Sequence, residues 1–105
     1  MINEIDFNDG KIISLEILGD KVEINYLNWE EIFHKLLFTD VIHMEYLNAG
    51  VDTGDFIVND NRKKVQEKCK QLDEDEISYK SFKLMCSWGE HTLIEIIAKE
   101  VTKIT

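Results

Sequence analysis

The sequence predicts one domain over residues 1–105, mostly β or α+β, in which about six antiparallel strands form a sandwich or a partly open barrel with one helix. Three observations carry this. Residues 12–18 and 21–27 alternate apolar and polar side chains on either side of Gly19-Asp20, the pattern of a hairpin. Residues 61–72 repeat apolar side chains at helical spacing on an otherwise charged surface. Residues 91–99 are apolar on both sides for part of their length, as in a central strand covered on both faces. A chain of 105 residues has room for one modest core and not for two.

Taken in order, Ile13, Leu15 and Ile17 fall on one face of the first strand, with Ser14 and Glu16 opposite. The second strand turns Val22, Ile24 and Tyr26 inward and Lys21, Glu23 and Asn25 outward. Asn28-Trp29 interrupts the pattern. Residues 30–38 fit a helix or a strand; the two strands before them favour a strand, with Ile32, His34, Leu36 and Phe38 on one face. Thr39-Asp40 reads as a turn or bulge, and 41–47 as a fourth strand. Asn48 to Asp55 reads as a loop carrying Gly50 and Gly54, and Phe56–Val58 as a short extra strand. Asn59 or Asp60 is the expected N-cap of the 61–72 helix, whose stripe is Val65, Cys69 and Leu72. The run Asp73-Glu74-Asp75-Glu76 ends the helix as a solvated loop. A long strand over 77–87 points Phe82, Leu84 and Cys86 inward, with Trp88 continuing the alternation. Gly89-Glu90 turns the chain into the last strand.

The formal net charge is −9, from 21 acidic and 12 basic residues. Such a balance disfavours nucleic acid and anionic membrane surfaces as partners. The excess lies in residues 1–58, which hold twelve acids against Lys11, Lys21 and Lys35, while residues 59–105 balance. A confined negative field accelerates encounter with a basic protein; it also serves solubility. No apolar run approaches a membrane span, and the opening Met-Ile-Asn-Glu-Ile-Asp has no leader-like apolar stretch, so a cytoplasmic location is expected. Cys69 and Cys86 form no spaced framework and read as free thiols in a reducing compartment.

Catalytic and metal-binding patterns find little support. His34, His43 and His91 are scattered and include no local ligand pair, so no metal is expected. Cys86 with His91 as its base would be a nucleophile only if the thiol were exposed and activated; its inward position reads as packing. Asp52-Thr53-Gly54-Asp55 and Asn59-Asp60-Asn61 lack the order and the closing glutamate of a calcium loop. No phosphate loop, dinucleotide fingerprint or nucleophile elbow occurs. Neither an enzyme nor a cofactor is therefore expected. Tyr26 and Trp88 follow strand alternation and read as core, whereas Trp29 and Phe56 lie at strand ends beside acids and read as exposed anchors.

The opening Ile5-Asp6-Phe7-Asn8-Asp9-Gly10 step into the first hairpin, and the closing pair with Leu93-Ile94-Glu95-Ile96-Ile97-Ala98, resemble a group of small bacterial β proteins. Some of these look like immunity proteins of toxin systems, which bind and block a cognate toxin domain. The chain departs from the group at Asn8, where His is common, and at Gly10, where Ser is common, so no site residue carries over. With the charge pattern, the resemblance implies a cytoplasmic inhibitor that covers a basic toxin domain. Its expected contact residues are Trp29, Glu30, Glu31, Asp40, Glu45, Asp52, Asp55 and Phe56. The alternatives are a small-ligand module using a barrel mouth, and a structural protein forming a homodimer through its strand edges.

Overall fold

A computed structural model describes residues 7–46, 52–87, 89 and 91–104. Among the described residues, eight strands form two four-stranded antiparallel sheets. The first sheet has the order β1 (Lys11–Leu18), β2 (Lys21–Leu27), β3 (Phe33–Thr39), β8 (Glu100–Lys103). The second has the order β4 (His43–Tyr46), β7 (Thr92–Ala98), β6 (Lys80–Cys86), β5 (Thr53–Val58). Helix α1 (Arg62–Leu72) and a 3₁₀ turn at Glu76–Ser78 connect β5 to β6. The architecture is a sandwich of two separate sheets and not a closed barrel.

The inner faces meet in one core. Ile12, Val22, Ile24, Tyr26, Leu36 and Phe38 of the first sheet pack against Phe82, Leu84, Ile94, Ile96 and Ala98 of the second. A smaller cluster of Val65, Cys69, Tyr79 and Ile97 lies between α1 and the second sheet. Strand β7 therefore contributes to a core on each face, the physical reason for its two-sided apolar sequence.

The hairpin forms as expected. Gly19 takes φ +66° at the first turn position, and Val22, Ile24 and Tyr26 are buried. In β1 a bulge between Ile12 and Ser14 changes the inward set. Ile12 is buried opposite Tyr26, Ile13 is the extra residue and stands exposed, and Leu15 then faces Ile24. The strand expected over 30–38 begins at Phe33, because Asn28 closes a turn over 28–32, and Ile32 lies outside the core.

The 48–55 loop is corrected in part: a regular strand starts at Thr53, while residues 48–51 lie outside the description. The N-cap is Asn61 and neither Asn59 nor Asp60; its side chain accepts from the Lys64 N–H. Leu72 is exposed, so the helix stripe is only Val65 and Cys69. Asp73 closes the helix in the left-handed conformation. Residues 76–78 are a 3₁₀ turn and not the start of a long strand. At Lys99 the chain leaves the second sheet, and the strand expected to end at 99 is followed by β8, which joins the first sheet beside β3. Leu47, Trp88 and Glu90 lie outside the described residues.

Residues 7–10 strap one end of the sandwich. The Tyr26 hydroxyl donates to the Phe7 carbonyl at 2.7 Å, and Asp9 N–H donates to Thr53 O at 2.8 Å. A Cβ at Gly10 would lie 2.0 Å from the Tyr26 hydroxyl oxygen and 2.6 Å from the Leu27 carbonyl. The strap can pass only without a side chain there, and it sets the end on which the β2–β3 turn sits.

Candidate functional site

The β2–β3 turn is built on one side chain. Asn28 donates its N–H to Ile32 O at 3.0 Å and accepts from Glu31 N–H at 2.9 Å. Its Oδ1 accepts from the N–H groups of both Glu30 and Ile32, each at 2.9 Å. That leaves Nδ2 as the donor to His34 Nε2 at 3.3 Å, which assigns the ring proton to Nδ1. Glu31 takes φ +63° to complete the turn. Local bonds thus saturate Asn28 and bury it, and the side chains around it are thrown outward. Trp29 is 58% exposed, Ile32 50% and Phe33 62%. Phe33 lies opposite Leu27 on the outer face of the first sheet. Glu30 and Glu31 are exposed within the same turn. A shallow cavity of about 200 Å³ separates the turn from the strap, with Asp9, Trp29 and Glu31 in its wall.

The other expected contact residues are dispersed. Asp52 accepts from Ser87 N–H through its carbonyl and adjoins Thr53, which is bonded to the strap, so Asp52 shares this end of the molecule. Asp55 is exposed on the edge strand β5. Asp40 lies past the far end of β3, a strand spanning roughly 20 Å. Phe56 is corrected outright. Its ring stacks on Phe7 at 4.8 Å and Phe82 at 6.2 Å between centroids, so it is core and not an exposed anchor.

Glu45 belongs to a second constellation. Its Oε1 accepts from Lys64 Nζ and from His43 Nε2, and Lys64 also donates to Glu95 Oε1 at 2.8 Å. Glu95 is buried in the middle of β7; its Oε2 accepts from Asn61 Nδ2 at 3.3 Å and lies 3.7 Å from Lys83. Lys83 reaches Asp60 at 3.3 Å. The hydrogen bond from Lys64, then that from His43, holds the Glu45 carboxyl below its ordinary value. Burial by itself would lower the Lys64 ammonium, but its bonds to Glu45 and Glu95 outweigh burial and raise it. These groups clamp α1 to the second sheet, and the first-half acid Glu45 is balanced by a second-half lysine.

Cys69 and Cys86 are buried free thiols, and burial first of all pushes the Cys69 thiol up. His91 meets Cys86 through its backbone N–H, at 3.4 Å from Sγ. Asp52–Asp55 runs into strand β5, and Asn61 caps α1. Among the described residues no group of three His, Cys, Asp or Glu side chains is placed to hold a metal. The space between the sheets is filled by the core, so there is no barrel mouth among them either. No helix among them is long and apolar enough to cross a membrane.

The sequence offered Trp29, Glu30 and Glu31 as expected contacts but did not single out Asn28, Ile32 and Phe33, which form the same turn. The signal was the break of alternation at Asn28. Nor was Glu95 singled out, a lone carboxylate inside the apolar run Leu93–Ala98. Comparison with family models, with curated proteins and with solved structures finds no match to this chain.

Proposed function

We propose that the chain is a protein-binding module of the immunity type, which seats its acidic 28–33 turn on a basic toxin domain and blocks access to it. One observation carries the reading: Trp29, Ile32 and Phe33 stand exposed on a turn locked by Asn28, with Glu30 and Glu31 between them. Aromatic side chains that desolvate in a partner's pocket dominate binding energy. A turn already held by its own hydrogen bonds loses little further freedom on binding. The two glutamates and the net charge of −9 favour a cationic counterpart and speed its encounter. Inhibition by cover needs no catalytic group on this side. The free thiols suit a cytoplasmic setting.

The test is isothermal titration against the product of the adjacent reading frame at low and moderate salt. Binding should weaken with salt, and Trp29→Ala should weaken it at least about 30-fold, the effect of a loss near 2 kcal/mol. Glu30→Gln with Glu31→Gln should lower the association rate and flatten the salt dependence. Absence of binding, or binding indifferent to both Trp29 and salt, would sink the proposal.

A further inference from the structure

The cavity between the strap and the β2–β3 turn holds about 200 Å³, and its wall includes Asp9, Gly10, Lys11, Leu27, Trp29 and Glu31. Pockets for drug-sized ligands run from about 300 to 1,000 Å³, so this one has room for a single side chain. Both of its sides are fixed. The strap is tied to Thr53 by the N–H groups of Asp9 and Gly10, and it has no space for a side chain at Gly10. The turn is held by Asn28. Such a site loses little freedom when it is filled.

Charge selects the occupant. Asp9 and Glu31 bring two carboxylates to the wall and Lys11 brings one ammonium; among the described residues none of the three forms an ion pair. Glu30 adds a third carboxylate in the same turn. Two further cations belong to this part of the first sheet. Lys35 lies 3.8 Å from Glu23. Lys103 stands opposite the core residue Leu36, on the other face of the sheet from Lys11 and Leu27. The balance at the cavity is therefore negative. The Trp29 indole adds an exposed aromatic face. A guanidinium suits this wall best, because it stacks on an indole while donating to two carboxylates; an ammonium is more strongly hydrated and lacks the fork.

We propose that the cavity receives one arginine side chain of the partner, stacked on Trp29, with Asp9 and Glu31 accepting from its guanidinium. This deepens the reading of the turn as the partner-binding surface and rests on it. The arginine comes from another protein and not from a second copy of this chain. The chain has one arginine, Arg62, and its guanidinium already donates to Asn59 Oδ1, Tyr79 O and Glu76 O. Lys11 opposes the incoming charge, so its removal tightens the site.

Titration of the full chain with N-acetyl-arginine methylamide, followed by the Trp29 indole N–H in NMR spectra, tests this. The shift should saturate in the millimolar range. The lysine analogue should bind at least about 3-fold more weakly, and the neutral citrulline analogue at least about 10-fold more weakly. Asp9→Asn and Glu31→Gln should each weaken binding about 2- to 5-fold, the range for exposed charges, and Lys11→Gln should strengthen it about 2-fold. A shift that does not saturate, equal binding of the arginine compound and either analogue, or affinity indifferent to both carboxylate variants overturns the proposal. The adjacent-frame product separates the two readings. If that product binds through Trp29 and Asp9→Asn leaves its affinity unchanged, the cavity proposal falls and the binding function stands. If the arginine compound seats as expected and the product does not bind, the toxin is removed as the partner and the cavity stands.

Discussion

Lys64→Met isolates the clamp that holds α1 to the second sheet. Lys64 is the cation shared by Glu45 and the buried Glu95, whose side chain is 5% exposed. Removing one partner of a buried ion pair costs about 3–5 kcal/mol, because a charge is left behind in a poor solvent. Two features reduce that here. Lys64 is itself partly solvated, and Glu95 keeps Asn61 and the more distant Lys83. The expected loss is therefore about 2–3 kcal/mol, close to the lower end of that range. The bond to exposed Glu45 adds no more than about 0.5 kcal/mol. For a domain of this size the loss corresponds to a drop in Tm of roughly 10–15 °C. Urea unfolding followed by circular dichroism at neutral pH measures it. Adding Glu95→Leu should recover most of the loss, since neutral residues in place of a buried pair are often tolerated, giving a coupling of at least about 1 kcal/mol. A Lys64→Met protein within about 0.5 kcal/mol of the parent, or strictly additive single and double variants, would refute the clamp.

Three further outcomes follow from the same geometry. Gly10→Ala should destabilise by at least about 1–3 kcal/mol in urea unfolding, because backbone and the Tyr26 ring both occupy the space its methyl needs; an unchanged midpoint would show that the strap can move. Burial, and then the charge of Lys103, holds His34 below its ordinary 6.5, so the unfolded chain takes up the proton first. Stability should therefore be full above pH 6.5 and decline as pH falls from there toward the lowered value, and His34→Gln should flatten the decline in a pH series of urea midpoints. Trp29→Ala should change stability by less than about 0.5 kcal/mol in the same assay, since the indole is exposed; a larger loss would make Trp29 structural and remove the leading anchor.

The regular alternation of β2 and of Phe82–Cys86 was legible because each strand has one face on the core. The two-sided burial of β7 was legible for the complementary reason, although its partners on the two faces, the first sheet and α1, are long-range facts. What local pattern does not carry is any change of frame. The bulge at Ile13 moves burial from even to odd positions at one residue, and nothing in Ile12-Ile13 distinguishes the two. The last strand was expected to end at residue 99, and nothing in the pattern sets β8 apart, because the crossing at Lys99 preserves strand character while exchanging sheets. Phe56 sits beside Asp55 in sequence, which suggested exposure, but a strand sends neighbours to opposite faces and the ring goes to the core. At the turn, Trp29 was legible as the residue that breaks the alternation. Phe33 was not, since its place on the outer face opposite Leu27 follows from a strand that starts only after the Asn28 turn.

The arrangement of charge follows the same logic and bears directly on function. By chain order the whole negative excess belongs to residues 1–58. In the fold, residues 7–40, which make β1 to β3, carry a net −4, and residues 41–98, which make the second sheet and its helix, also carry −4. Glu45 and Asp55 pass to the second layer with β4 and β5, Asp52 adjoins β5, and Glu45 pairs there with Lys64 from later in the chain. The basic partner proposed above would therefore meet no uniformly acidic half-molecule, and long-range field alone would not orient it. Orientation must come from a place where charge coincides with exposed apolar surface. Among the expected contact residues that holds for Trp29, Glu30 and Glu31, which the Asn28 bonds hold in one exposed turn, an indole followed by two carboxylates. In the proposed complex Asp40, roughly 20 Å away along β3, would tune the rate of encounter but not the docked pose. Neutralising it should leave the dissociation rate unchanged, whereas changes at Trp29 should act mainly on that rate.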